Sequence, residues 1–116
     1  MILKEIIKIL NATTITSSVD RELNIKTACS ADMMSAVLYY HTPDSLLITG
    51  LAQPQVIRTA EIAGIKTILF ILDKKPAENI ISLAEKHNIS LLSTPFCMYT
   101  ASGKLFEAGL PSCQGK

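Results

Sequence analysis

Residues 45–72, SLLITGLAQPQVIRTAEIAGIKTILFIL, constrain the fold of this chain more than any other stretch. A short apolar run ends at Gly50, and an amphipathic segment then begins at Pro54 and closes at Gly64. A second apolar run follows this glycine. Proline is favoured in the first turn of a helix and glycine just after the last turn. The stretch therefore predicts a strand, a helix and a second strand, which together form one βαβ unit.

Similar units flank this one along the chain. Apolar runs recur about every 20 residues, each followed by a helical pattern, which is the spacing of βα units. These runs lie at residues 27–29, 46–48, 68–72 and 91–92. Because they are apolar without alternation, we expect strands that are covered on both faces. The sequence thus predicts a single compact α/β domain with a mainly parallel β-sheet, right-handed crossovers and flanking helices.

Local patterns predict the elements around these units. Residues 1–10 place apolar side chains on one face at helical spacing, and residues 12–16 are rich in β-branched residues, which favour a short strand. Residues 17–25 are polar and charged and are expected to form a surface loop. A turn is predicted at 41–44, where Pro43 disfavours helix in the preceding residue.

The C-terminal third of the chain is predicted to contain two helices. One ends at Asn88, a residue type that tolerates left-handed backbone, and the last begins near Pro95. The candidate core residues of the last helix are Phe96, Tyr99, Leu105 and Phe106. We assign the domain to residues 1–110 and expect residues 111–116 to be a frayed C-terminal tail.

Composition limits the classes of partner. The chain has 116 residues, which suits a single domain. A formal net charge of +1 supplies no long-range field that would attract a nucleic acid or an anionic membrane surface. The apolar runs are also far shorter than a membrane span. We therefore expect neither a nucleic-acid partner nor a membrane partner.

The three cysteines bear on the cellular compartment. Cys29, Cys97 and Cys113 are odd in number, widely separated and in no CxxC spacing. This pattern is typical of unpaired thiols in a reducing compartment. Residues 1–10 alternate lysine and glutamate with aliphatic residues, so they lack the apolar core of a signal peptide. We therefore predict a cytoplasmic protein.

Polar turns follow several of the predicted strands. In an open parallel sheet, ligands bind at the carboxyl ends of the strands, where helix N-termini present unpaired N–H groups. The candidate ligand-binding residues at these ends are Ser30, Asp32, Thr49, Gly50, Gln53 and Thr94. They suit a phosphate or carboxylate, although the same residue types also cap helices and form turns. The glycine permits close approach of a ligand to the backbone.

The sequence predicts no catalytic or metal-binding constellation. It contains no GxGxxG, GxxxxGK[ST] or GxSxG motif and no paired carboxylates. His41 and His87 show no metal spacing with each other or with a cysteine, and we interpret both as surface residues. We predict no catalytic residue, no metal and no cofactor. If the protein were a small enzyme, Cys29 or Cys97 near a helix start would be the nucleophile.

Two residue pairs indicate a surface for another chain. Met33-Met34 and Tyr39-Tyr40 lie on a short predicted helix, and methionine and tyrosine adapt well at interfaces. Core packing of the methionines is the alternative interpretation.

Three groups of residues, taken in order, resemble a known family. They are Thr27–Ser35 (TACSADMMS), Leu47–Leu51 (LITGL) with Pro54–Glu61 (PQVIRTAE), and Leu91–Thr94 (LLST) leading to Phe106–Leu110 (FEAGL). Over nearly the whole chain they resemble the DRTGG-domain family in its small stand-alone form. The five letters DRTGG appear nowhere in the sequence, and Leu51–Gln55 (LAQPQ) follows the Thr-Gly strand end instead.

The resemblance implies a compact α/β domain similar to the N-terminal domain of HPr kinase/phosphorylase. Related domains sit between CBS modules in some pyrophosphatases and in the middle of long phosphotransacetylases, where they are regulatory and dimer-forming. We therefore expect a non-catalytic regulatory or assembly domain, a homodimer, which senses a small nucleotide-like anion at the carboxyl ends of its strands. The alternative is an interaction subunit that binds a larger enzyme or kinase without a ligand.

Overall fold

The protein alternates helices and strands along most of its length. The computed structural model describes residues 1–40 and 42–114. In chain order the elements are α1 (Leu3–Ile9), β1 (Thr13–Thr14), β2 (Thr27–Ser30), α2 (Met34–Tyr40), β3 (Ser45–Thr49), α3 (Pro54–Ala63), β4 (Thr67–Phe70), α4 (Glu78–Lys86), β5 (Ser90–Ser93) and α5 (Met98–Glu107). His41, which we predicted to be a surface residue in a turn, lies outside the described residues, as do the last two residues of the predicted tail.

The strands form one sheet in the order β1-β5-β4-β3-β2. β2, β3, β4 and β5 pair in parallel, and a helix follows each of them. β1 pairs antiparallel with β5, where Thr13 lies opposite Ser93. This arrangement confirms the predicted α/β fold with a mainly parallel sheet flanked by helices.

The core lies on both faces of the sheet. Residues of α2, α3 and α4 cluster on one face with Leu47, Phe70 and Leu91, and residues of α1 and α5 cluster on the other with Leu46 and Leu92. All five residues of β3 are buried. Strands covered on both faces carry apolar residues at consecutive rather than alternate positions, and this explains the continuous apolar runs in the sequence.

The central helix and its neighbour end as the sequence predicts. Pro54 occupies the first turn of α3, and Gly64 caps its C-terminus with φ 72°. Asn88, just after α4, has φ 58°. Glycine adopts this left-handed backbone without steric cost, and asparagine adopts it more readily than most residues.

The helices are short. The longest, α3 and α5, have 10 residues each. No helix within the described residues is long and apolar enough to cross a membrane.

The last helix differs from the prediction in its start and in the face that it buries. α5 begins at Met98, later than expected. Its buried residues are Ala101 and Leu105, whereas Tyr99 and Phe106 are 89% and 65% exposed. The prediction that these two aromatic residues belong to the core is wrong. The helix carries apolar residues on two faces, and only one of them packs against the sheet.

The C-terminal segment lies along the edge strand β2. The N–H group of Ala28 donates to the carbonyl oxygen of Pro111, and the N–H group of Cys113 donates to the carbonyl oxygen of Ala28, both at 3.0 Å. We call residues 111–113 the C-terminal strap. We expected a frayed tail from residue 111, but these residues are hydrogen-bonded to β2. The composition of a segment does not show whether it pairs with the edge of a sheet.

A disulfide joins Cys29 of β2 to Cys113 of the strap, with Cα atoms 5.4 Å apart. The prediction of unpaired thiols is therefore wrong for these two residues, whereas Cys97 is free and exposed. The pair is separated by 84 residues in the sequence, so no local spacing indicates it. The two cysteines meet only because the strap returns to β2. The thiol argument for a cytoplasmic location does not apply to this pair.

Candidate functional site

The predicted ligand-binding residues lie along the carboxyl edge of the sheet, but only some of them meet. Because β4 lies between β3 and β5, Thr94 at the end of β5 is separated from the residues at the end of β3. The structure brings three of the predicted residues into direct contact, and these are Asp32, Thr49 and Gly50.

The carboxylate of Asp32 closes the turn after β3. Its Oδ1 atom accepts hydrogen bonds from the hydroxyl of Thr49 at 2.8 Å and from the N–H group of Gly50 at 2.7 Å. The Thr49 hydroxyl oxygen accepts from the N–H group of Leu51 at 3.1 Å. Lys74 Nζ donates to the carbonyl oxygen of Gly50 at 2.8 Å. These polar groups thus find their partners inside the chain.

Close packing within the chain explains the glycine of this turn. A Cβ atom on Gly50 would lie 3.4 Å from Ile71 Cδ1 and 3.7 Å from Asp32 Oδ1. A larger side chain would press against both neighbours. The N–H group of Gly50, which an anion would bind, already donates a hydrogen bond to the Asp32 carboxylate.

The loop after β4 places Lys74 beside this turn. Leu72 and Asp73 have φ 56° and 54°, in the left-handed region that residues other than glycine seldom adopt. Their N–H groups donate to the carbonyl oxygens of Phe96 at 3.0 Å and Thr94 at 2.8 Å, which hold the loop in this conformation. The strand predicted through Leu72 ends earlier, so the sequence does not indicate where the lysine lies.

Thr94 and Gln53 have separate environments. Thr94 is buried, and its hydroxyl donates to the carbonyl oxygen of Leu10 at 2.6 Å and accepts from the N–H group of Phe96 at 3.4 Å. The threonine therefore ties the end of β5 to the end of α1. Gln53 is exposed before α3, and its side chain gives the first N–H groups of that helix no capping hydrogen bond.

Ser30 belongs to a second region instead. Its hydroxyl oxygen lies 2.6 Å from that of Ser102, within a cavity of about 830 Å³ bounded by α2, α5, β2 and the strap. We call this cavity the aromatic cleft because Tyr40, Tyr99 and Phe106 line it. The sequence pattern predicts these rings in the core or at an interface and does not indicate the cleft.

Neither candidate nucleophile has catalytic geometry. Cys29 is bonded to another cysteine. Cys97 lies at the start of α5, where hydrogen bonds to the hydroxyl and the backbone of Thr100 lower the pKa of its thiol. Its sulfur lies 3.4 Å from the Thr100 hydroxyl, which is not a general base.

Neither the surroundings of His87 nor any other part of the described chain forms a group of metal-ligating side chains. His87 is half-buried just after the last residue of α4, and its Nδ1 atom lies 3.3 Å from Glu61 Oε2. No group of three or more metal-ligating side chains converges within the described part of the chain.

Comparisons with known proteins identify related domains. A family model described as the DRTGG domain matches residues 5–108. The CBS and DRTGG domains of the regulatory region of Clostridium perfringens pyrophosphatase, complexed with the activator diadenosine tetraphosphate, share the fold with a TM-score of 0.69 and 20% sequence identity. The match covers 97% of this chain and 49% of that one, so the chain spans about half the length of its structural relative. None of the curated protein sequences compared with the chain matches it significantly.

Proposed function

The chain belongs to the DRTGG domain family, and from that premise we propose that it is a non-catalytic regulatory or assembly domain. In this proposal it forms a homodimer in the cytoplasm and senses a small anionic, nucleotide-like ligand at the carboxyl ends of its strands. One observation carries the proposal. A structural relative with this fold belongs to the regulatory region of a pyrophosphatase and was solved with a nucleotide activator.

The proposed anion site is the turn after β3. Its residues are Asp32, Thr49 and Gly50, which contact one another. Of the other predicted ligand-binding residues, Ser30 lies in the aromatic cleft, and Gln53 and Thr94 have the separate environments described above. The N-terminus of α3 and the ammonium group of Lys74 add positive charge beside it. A phosphate that binds the N–H group of Gly50 must displace the carboxylate of Asp32, because both are acceptors and carry like charge.

Displacement of Asp32 links ligand binding to α2. Asp32 lies in the short segment between β2 and α2, two residues before Met34, the first residue of the helix. When its carboxylate leaves Gly50, this segment loses its side-chain contact with the end of β3. A ligand that binds only this opened state shifts the population toward it, which gives the domain a means of sensing.

The exposed face of α2 is the proposed contact with a second copy. Met33, just before the helix, is 68% exposed, and Tyr39 is 80% exposed. Met34 packs in the core, so only one residue of the methionine pair is available at the surface. Methionine and tyrosine are enriched at interfaces. This surface also supports the second candidate function, an interaction subunit that binds a larger enzyme or kinase without a ligand.

Sedimentation and thermal melting test the proposal together. We expect a dimer at micromolar concentration and a higher Tm with diadenosine tetraphosphate or ATP. A ligand held at about 100 times its Kd adds about 2.7 kcal/mol to the free energy of unfolding, so the shift is measurable. A monomer whose Tm responds to no nucleotide contradicts the proposal.

Lys74→Ala and Lys75→Ala form a matched pair for the anion site. Lys74 contacts the carbonyl oxygen of Gly50, whereas Lys75 is its exposed neighbour in the loop. We expect the first variant to reduce the nucleotide-induced rise in Tm and the second to leave it unchanged. Equal responses would place the anion away from Gly50. Co-purification with a larger enzyme, without any nucleotide effect, would favour the interaction subunit.

A further inference from the structure

We propose that the aromatic cleft binds a flat, uncharged heteroaromatic group of nucleobase size. This inference rests on the proposed function in one respect, that the domain senses a nucleotide-like ligand. It assigns the base of such a ligand to a cavity that the family resemblance does not indicate and that Ser30, but not Asp32, Thr49 or Gly50, lines.

The cleft has the size of a small-molecule site, and regular secondary structure forms most of its walls. Its volume is about 830 Å³, and small-molecule pockets usually measure about 300–1,000 Å³. Two helices and the edge strand β2 form three of its walls, and the disulfide-linked strap forms the fourth. Preformed walls favour a small ligand because little conformational entropy is lost when it binds.

Aromatic rings border the cleft from two helices. Tyr99 and Phe106 lie seven residues apart on α5, so about 10 Å separates their Cα atoms along the helix axis. Tyr40 supplies a third ring from α2, and an edge-to-face contact with Tyr39 at 4.8 Å orients it. Exposed rings gain contact and bury apolar surface when a planar group stacks on them.

Gly103 leaves bare backbone between the two rings of α5. It lines the cleft, and a Cβ atom at this position would meet no atom within 4 Å. Packing inside the chain therefore does not require glycine here, although glycine is unfavourable in the interior of a helix. Its missing side chain opens a slot for a molecule from outside the chain.

The polar groups of the cleft suit an uncharged edge that carries donors and acceptors. The hydroxyls of Ser30 and Ser102 share one hydrogen bond and keep further donor and acceptor capacity. The charged residues of the lining are one lysine and one glutamate, Lys104 and Glu107, so the lining has no net charge. The ammonium group of Lys104 also lies 4.9 Å from the ring centroid of Phe96. A nucleobase complements this lining better than a phosphate does.

An NMR titration of the full chain with adenosine, which has no phosphate, tests the inference. We expect amide shifts at Gly103, Ser102 and Ser30. We also expect the affinity to fall about fivefold to a hundredfold in Tyr99→Ala or Phe106→Ala, as for other stacked bases. Inorganic phosphate is the second probe and should leave the cleft amides unmoved.

Gly103→Leu separates binding from folding. Leucine favours helix, and its Cβ atom meets no neighbour, so the variant should fold while its side chain fills the slot and abolishes adenosine binding. Ala108→Leu adds the same bulk at the exposed end of α5, outside the cleft, and should bind as the wild type does.

Three results would overturn the inference. One is an adenosine affinity that Gly103→Leu leaves unchanged. Another is loss of the dimer in Tyr99→Ala without any adenosine effect, which would assign the ring to a second copy of the chain. The third is a nucleotide that raises Tm while adenosine moves no cleft amide, and this result would leave the proposed function intact.

Discussion

The turn after β3 and the aromatic cleft have opposite chemistry. In the turn, the N–H group of Gly50 and the hydroxyl of Thr49 already donate to Asp32. In the cleft, aromatic rings are exposed, and a glycine in the middle of a helix has no neighbour that requires it. The contrast shows that polar residue types at a strand end do not by themselves identify a free site. A site is free only where the chain does not already satisfy its own groups.

The two regions also differ in what holds them together. The turn depends on hydrogen bonds between segments that are adjacent in the sheet. The cleft depends on the strap, which Cys113 attaches to β2 from the far end of the chain. Substitutions that affect one region and spare the other therefore test the contrast.

Cys113→Ser should have the largest effect, because it releases one wall of the cleft. Loss of a disulfide typically lowers the free energy of unfolding by about 2–4 kcal/mol. Urea denaturation without reductant measures this loss, and the amide resonance of Gly50 should stay in place. Cys97→Ser removes the exposed free thiol and serves as the control, with a stability close to that of the wild type. Equal midpoints for the two variants would show that the disulfide does not hold the strap.

Asp32→Ala should open the turn. The change leaves the N–H group of Gly50 and the hydroxyl of Thr49 without their acceptor. Because these bonds are charge-assisted but partly exposed, we expect a loss of about 1–2 kcal/mol in urea denaturation. Asp32→Asn keeps one oxygen acceptor and should lose less. Inorganic phosphate should bind the alanine variant more tightly than the wild type, and weaker binding would contradict the proposed competition.

Gly103→Ala and Gly64→Ala should change stability in opposite directions. Gly103 lies within α5 with open space around it, so alanine should raise the free energy of unfolding by about 1 kcal/mol. Gly64 has φ 72°, where alanine is strained and should lower it by about 1 kcal/mol. Thermal and urea denaturation of both variants measure the difference. Destabilisation by Gly103→Ala would mean that the chain itself requires this glycine.

Glu85→Gln should have the smallest effect, at a contact outside both regions. The backbone N–H group and the hydroxyl of Ser17 donate to Glu85 Oε2 at 2.9 and 2.7 Å, and they lower the pKa of this carboxyl. A lowered pKa in the folded state contributes stability that is fully present above the ordinary glutamate pKa of about 4.3. This contribution is lost as the pH falls through the lower folded value.

Urea denaturation at a series of pH values measures the contribution of Glu85. The difference in stability between wild type and Glu85→Gln should be constant near neutral pH and should shrink in acid. A difference that does not depend on pH would show that the two hydrogen bonds do not favour the charged carboxylate.

Prediction from the sequence succeeded where a local pattern decides the structure. The apolar run of β3 is buried at every position, and the backbone of Gly64 and Asn88 is left-handed where the two helices end. Each of these features depends on the residue itself and on its near neighbours. The contact of Asp32 with Thr49 and Gly50 is not a local feature of this kind, because it joins the ends of two strands that are neighbours only in the sheet.

Prediction failed where the structure depends on which of two helix faces is buried, or on contact between segments that are distant in the sequence. The apolar pattern of α5 does not distinguish the face that carries Leu105 from the face that carries Tyr99 and Phe106. Only packing against the sheet makes that choice. Residues 111–113 have no pattern of their own, and their order comes from the edge of β2.

By itself, the sequence determined the α/β class, the parallel core strands and the turns that end the central helices, because these features depend on periodicity and on backbone preference over a few residues. Only the tertiary structure decided which polar groups are satisfied and which rings are exposed. The partners of Gly50 and Cys29 lie 18 and 84 residues away in the chain. Hydrogen bonding and burial depend on such contacts between distant residues, so they cannot be inferred from any single segment of the sequence.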